Sequence, residues 1–328
     1  MLEHGGRLRE AVARYGIPLA GWLDLSTGVN PGGWKAGAVP ESAWRRLPEE
    51  NDGLEEAAYA YYGTHQLLPA AGSQAIIQAL PMLRGPCRVG VIHPGYSEHA
   101  QAWRRAGHQV SLIGPEAMQD AAAVSEVLVV SNPNNPTGRC FAPEQLLEWG
   151  ASLSRRGGWL VVDEAFMDAT PGESLAPFCP RSGLIVLRSL GKFFGLAGAR
   201  VGFVAAEPDL QDRLCERLGP WSVAGPSRWV AAEALKARQW QEEMRKQLAS
   251  GAARLHSLLA GHDLSPAGGC ALFQWVRLSH AKEVHEKLAR QGILTRLFQD
   301  PPSLRFGLPG NEAEWERLES ALSGHSWV

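Results

Sequence analysis

Two periods of hydrophobic and polar positions run along this chain, and the points where one gives way to the other mark its organisation. Leu8, Val12 and Tyr15 recur at helical spacing among Arg7, Arg9, Glu10 and Arg14, which predicts a short amphipathic helix. Residues 22–26 read as a brief strand, and residues 27–33, rich in Gly, Asn and Pro, as the loop that follows. Leu54, Ala57, Ala58 and Tyr61 share one face of a helix over residues 53–62, and another apolar-periodic helix opens at Gly72-Ser73. Apolar runs at 88–92, 110–113, 127–130 and 159–162 then alternate with helical stretches such as 100–106. Parallel strands need a crossover and a helix supplies it, so this alternation predicts an α/β domain whose mostly parallel sheet is flanked by helices. After residues 219–226 the pattern changes. Helical periodicity with one break covers 227–260, followed by a strand (270–278), a helix (280–291), two strands (293–297 and 303–306) and a closing helix (311–322). That order predicts a smaller α+β domain. The expected divisions are an N-terminal segment over 1–35, a large domain over 36–220 and a small domain over 221–328.

Composition narrows the classes of function. The chain has 328 residues and is 45% hydrophobic, enough to build substantial cores. A net charge of -2, with Lys and Arg scattered, argues against nucleic acid and anionic membrane as partners. The cysteines (Cys87, Cys140, Cys179, Cys215, Cys270) are odd in number and include no C-x-x-C pair. They therefore point to neither a disulfide framework nor a zinc site, no metal is expected, and reduced thiols suit a cytoplasmic location. No signal-like N-terminus and no run of about twenty apolar residues is evident, so a soluble, unprocessed chain is expected.

The candidate chemistry gathers around Lys192, set in Arg188-Ser189-Leu190-Gly191-Lys192-Phe193-Phe194-Gly195, with Arg200 eight residues on. Burial disfavours a lysine's charged form and moves it toward the state in which a free amine attacks a carbonyl. Upstream, one β-like run ends in Asp163-Glu164-Ala165-Phe166, and another leads into Ser131-Asn132-Pro133-Asn134-Asn135-Pro136-Thr137-Gly138. Gly72 and Ser73 stand at a helix start, where free N–H groups and a positive dipole end favour a phosphate.

Together these motifs resemble the aminotransferase family of pyridoxal phosphate (PLP) enzymes, fold type I, and within it the histidinol-phosphate aminotransferase branch. The resemblance implies a large domain with a seven-stranded type of sheet, a smaller C-terminal domain, and an N-terminal segment packed at the active-site mouth. It implies Lys192, Asp163 and Tyr96 as catalytic residues: Lys192 bonds the cofactor, Asp163 pairs with its ring nitrogen, and Tyr96 stacks on its ring. Gly72, Ser73, Gln74, Ser189 and Arg200 would hold the cofactor phosphate, and Asn135 the phenolic oxygen. His4, Gly28, Asn30, Asn135, Arg296 and Arg305 would meet the substrate, Arg305 at its carboxylate. The chain departs from the family at Phe166, where many relatives carry Tyr, at Gly191, often Ser, and at Leu47, commonly a Tyr reaching the partner subunit. No tyrosine follows Tyr96, so the phenolic oxygen must rest more heavily on Asn135.

Three short features are similar to the threonine-phosphate decarboxylases of cobalamin biosynthesis: His4-Gly5-Gly6 followed by Arg9-Glu10-Ala11, the Asp163 motif, and Leu304-Arg305-Phe306-Gly307-Leu308-Pro309. They imply PLP-dependent decarboxylation of a small phosphorylated amino acid, O-phospho-L-threonine; the wider family resemblance implies a homodimer. The alternatives are a histidinol-phosphate aminotransferase or related class II aminotransferase, and a non-catalytic regulator of the same fold. The latter would be free to lose the set Asn135, Asp163, Lys192 and Arg200, which is complete here.

Overall fold

The computed structural model describes residues 4–323. Its strands in chain order are β1 (Leu23–Asp24), β2 (Leu67–Ala70), β3 (Arg88–Ile92), β4 (Gln109–Ile113), β5 (Val127–Ser131), β6 (Trp159–Asp163), β7 (Leu184–Ser189), β8 (Gly202–Ala205), β9 (Gly268–Cys270), β10 (Phe273–Arg277), β11 (Ile293–Leu294), β12 (Arg296–Gln299) and β13 (Pro302–Gly307). Two compact units emerge, one formed by residues 34–135 and 140–242, the other, among the described residues, by 4–33, 136–139 and 243–323. Residues 221–242 thus fall with the larger unit, whereas the sequence pattern drew a boundary at 221. The N-terminal residues fall with the C-terminal ones because β1 pairs in parallel with β11.

The larger unit is built on a seven-stranded sheet in the order β2-β8-β7-β6-β5-β3-β4. Neighbours from β4 to β7 run parallel, and only β8 runs against the others. The central strands β5, β6 and β7 are almost wholly buried and read as continuous Val, Leu and Ile runs, the signature of a sheet covered on both faces. One apolar cluster packs Ile76, Ile77 and Leu80 with Trp103, Val129, Val161 and Leu187. A second group, aromatic, lies behind the lysine segment: Phe193 meets Phe194 and Trp240 with ring centroids 5.2 and 5.5 Å away. This packing explains why so short a glycine-rich loop is fixed.

The smaller unit carries the four-stranded antiparallel sheet β12-β13-β10-β9. Two expectations are corrected here. The single strand expected over 270–278 is a hairpin, β9 turning at residues 271–272 into β10. The strand expected over 293–297 breaks at Thr295, whose hydroxyl lies 2.9 Å from His285 Nδ1: Ile293 and Leu294 pair with β1, and Arg296 onward with β13. Periodicity registers apolar spacing and cannot tell which neighbour a strand will choose. The helical stretch 227–260 does break once, at Ala237, between the helices Gly225–Lys236 and Arg238–Ala260.

Candidate active site

At the carboxyl ends of the parallel strands, where open α/β sheets bind ligands, the larger unit holds a cavity of about 170 Å³. Ser73, Gln74, Tyr96, Ser131, Asn135, Asp163, Phe166, Ser189, Lys192 and Arg200 all contribute to its wall. Each arrives there for a local reason. Asp163 is the last residue of β6 and stands in register with Ser131, the last of β5; Ser189 closes β7. Tyr96 precedes the helix Ser97–Arg105, and Lys192 follows β7 by three residues. Arg200 precedes β8 in the left-handed region, φ 54° and ψ 56°, an uncommon conformation for a residue with a Cβ and one that clusters at functional sites.

The electrostatics are specific. Asp163 is 5% exposed. Its Oδ1 accepts the Ala165 N–H at 3.1 Å, and its Oδ2 lies 2.8 Å from His99 Nε2. His99, itself buried, meets Tyr96 edge to face. It is a site residue that sequence reasoning passed over, although its place three residues after Tyr96, at the start of a helix, put it in reach. The Lys192 Nζ lies 5.2 Å from the centre of the Phe166 ring, within cation–π range. Phe166 offers the lysine an apolar face.

Gln74 lies in the cavity wall with its side chain turned to its neighbours. Its side-chain oxygen accepts from the Tyr96 hydroxyl and its amide donates to Glu98, each at 3.1 Å. The side chain is therefore committed to orienting Tyr96, and its backbone N–H is what remains for a phosphate. Gly72 makes room for Arg200: it has φ +77°, and a Cβ there would lie 2.7 Å from Arg200 Nη2, so glycine leaves the space the guanidinium occupies.

The remaining expected residues belong to the smaller unit. His4 and Arg296 line a cavity of about 350 Å³ there, together with Arg7, Lys282 and His285. Arg305, on β13, stands directly opposite Arg296 on β12. It donates from Nη2 to the Ser26 carbonyl at 2.7 Å, and its guanidinium lies 5.0 Å from the Phe273 ring centre. Burial, and then the charge of Arg296, push Arg305 down to about 10. Two cations facing each other across a ladder repel, an arrangement that an anion between them relieves. Asn30 is buried and its Oδ1 accepts the Gly32 N–H at 2.9 Å; Gly28 bends the preceding loop with φ +59°.

The sequence profile of aminotransferase class I and II matches residues 20–322. The chain belongs to that family. Among class I and II aminotransferase relatives, a threonine-phosphate decarboxylase of Pseudomonas aeruginosa is 58% identical over 324 residues, covering 99% of this chain and 98% of its own. A threonine-phosphate decarboxylase from a Sinorhizobium species is 42% identical, covering 98% of each chain. Among solved structures, the histidinol-phosphate aminotransferase of Sinorhizobium meliloti, in complex with pyridoxal-5'-phosphate, superposes with a TM-score of 0.87 at 19% identity, over 98% of this chain and 95% of that one. It shares the fold.

The residues present fit pyridoxal phosphate. Ser131 Oγ is buried in the wall with no hydrogen-bond partner among the described residues, the kind of polar atom a ligand satisfies. The Gly72 and Arg200 pair makes a cradle that a methyl group would close. A lysine and a carboxylate meet in one cavity with a tyrosine ring, a donor set matched to a phosphorylated aldehyde with a basic ring nitrogen.

Proposed function

We propose that this protein is a PLP-dependent decarboxylase that converts O-phospho-L-threonine to (R)-1-amino-2-propanol O-2-phosphate and carbon dioxide, a step of cobalamin biosynthesis. The observation that carries this reading is the 58% identity to a threonine-phosphate decarboxylase across nearly the whole of both chains. When bound, the cofactor supplies an electron sink conjugated to the substrate's Cα.

The chain's own residues do the rest. Lys192 anchors the cofactor, and its Nζ later carries the proton that Cα takes up after carbon dioxide leaves. Asp163, oriented by His99, accepts a hydrogen bond from the protonated ring nitrogen and keeps it positive, which strengthens the sink. Asn135 meets the phenolic oxygen, and Tyr96 covers the ring. Ser73, Ser189, Arg200 and the backbone N–H groups of residues 72–74 take the phosphate; a planar, always charged guanidinium suits that dianion. Arg305 takes the substrate carboxylate, while His4, Asn30 and Arg296 take the substrate phosphate and Gly28 shapes the loop beside them. Anchored at both ends, at its carboxylate by Arg305 and at its phosphate by His4, Asn30 and Arg296, the substrate would be held in one orientation, and that orientation would select the carboxylate for departure. We further propose a homodimer working in the cytoplasm.

The test is to incubate the purified holoenzyme with O-phospho-L-threonine and no keto acid, and to measure carbon dioxide. Stoichiometric release supports the reading. No release, with amino transfer from histidinol phosphate to an added keto acid, overturns it in favour of the aminotransferase.

A further inference from the structure

Behind the cavity wall lies a fully buried ionic cluster that none of these roles uses. Arg188 donates from Nη1 to Glu164 and from Nη2 to Asp168, and its side chain is 1% exposed against 0% for each carboxylate. Ser174 Oγ joins it, donating to Glu164 at 2.5 Å and accepting from Arg188 at 3.1 Å; the Leu175 N–H donates to the other Glu164 oxygen at 2.7 Å. The guanidinium also lies 4.7 Å from the Tyr62 ring centre. Burial by itself disfavours charge on Arg188, but Asp168 and Glu164 carry it above the ordinary guanidinium range; burial pushes the Glu164 carboxyl up. As a source of stability such a cluster is poor, because desolvating three ions offsets what their attraction returns, and apolar side chains of similar volume often do as well.

Its position accounts for it. Successive residues at a strand end face opposite sides. Asp163 and Ser189 look into the cavity, while their neighbours Glu164 and Arg188 look away from it and grip each other. The second carboxylate, Asp168, closes the short turn that begins at Glu164 and carries Ala165 and Phe166 into the cavity. One guanidinium therefore holds both ends of the turn beneath Phe166 and, through its own backbone, the strand end that bears Ser189.

We propose that Arg188 is a positioning residue: with Glu164 and Asp168 it fixes the wall formed by Asp163, Ala165, Phe166 and Ser189 before the cofactor arrives. This sets where the Phe166 face meets Lys192 and where Asp163 meets the ring nitrogen. The proposal rests on the cofactor occupying this cavity, which titration of the wild-type protein with pyridoxal phosphate decides on its own.

Two variants and one measurement on the unaltered chain test the clamp. Arg188→Lys keeps the charge but cannot fork across two carboxylates. The triple change Arg188→Met, Glu164→Gln, Asp168→Asn removes every charge together and leaves none stranded. Both are expected to weaken cofactor affinity, by about tenfold for the lysine variant and more for the triple, and to shift the absorbance band of the bound cofactor. A folded variant of either kind with wild-type affinity and band, even with a lowered melting temperature, overturns the proposal and leaves the cluster a matter of stability alone. Should neither variant fold, hydrogen exchange on the cofactor-free wild type decides: slow exchange of the Met167 and Leu175 amides supports a preformed wall, and rapid exchange overturns it.

Discussion

Lys192 sits on a loop whose neighbours Phe193 and Phe194 are wholly buried, and its own Nζ lies against the Phe166 ring. A residue so held serves as a fixed anchor, and Lys192→Ala is expected to abolish both the absorbance of covalently held cofactor and turnover; undiminished activity in that variant would remove the assignment. Arg305 is held differently, by a backbone carbonyl, a ring face and a repelling Arg296. Losing a buried charged anchor costs several kcal/mol, or about two to four orders of magnitude in rate. Arg305→Ala should lose phosphothreonine decarboxylation to that extent while cofactor absorbance persists, and near-normal turnover would show that this arginine does not orient the carboxylate. At this scale much was legible. Ser73, Tyr96, Asn135, Asp163, Ser189, Lys192 and Arg200, far apart in sequence, do share one cavity. What escaped was contact between side chains: His99 against Asp163, and Gln74 turned toward Tyr96 and Glu98, because no spacing rule encodes which hydrogen bond a side chain will choose.

At the scale of elements, the turn from β2 into the helix Ser73–Ala79 depends on Gly72. Gly72→Ala would force a Cβ into a positive-φ, extended-ψ conformation that only glycine readily adopts, at a cost of about 1–3 kcal/mol, and against Arg200 Nη2. The expected outcome is a folded protein with cofactor affinity reduced about tenfold or more, read by fluorescence titration; unchanged affinity would show that Arg200 is free to move aside. The helices Leu54–Tyr62 and Gly225–Lys236 are tied at one end by Arg228, which forks to Asp52 at 2.6 and 2.8 Å and also reaches Glu55 at 2.7 Å. Burial alone would raise the Asp52 carboxyl, but hydrogen bonds from Arg228 and from the Leu54 N–H outweigh it and hold the group below the usual carboxylate range. A carboxyl depressed in the folded state contributes stability above its unfolded value, near 3.9, and loses it as pH falls through the folded value. Arg228→Ala should therefore lower the melting temperature at neutral pH and lower it less at about pH 2; an equal loss at both would assign the effect to packing. Long apolar runs made the parallel strands readable, whereas the β9–β10 hairpin and the break at Thr295 were hidden, since both are set by pairing partners distant in sequence.

For the molecule as a whole, the exposed apolar side chains bear on assembly. Trp44 is 68% exposed, Leu47 63% and Trp221 58%, on two segments that touch where Gly225 packs against the Ala43 carbonyl. Single exposed apolar residues are ordinary, but large ones gathered on neighbouring segments mark a surface meant to be covered. In the proposed dimer, a second copy of this chain is what would cover this surface, Leu47 included. An interface of standard size buries about 1,600 Å² in total, and tryptophans near its centre supply a large share of its energy. Sedimentation at micromolar concentration is expected to give a dimer for the wild type. Trp44→Glu combined with Leu47→Glu should shift it toward monomer, because the introduced carboxylates would have to be desolvated in the interface without a partner. A wild type that sediments only as monomer while retaining full activity would refute the dimer. A double variant that stays dimeric would move the interface to another face of the larger unit.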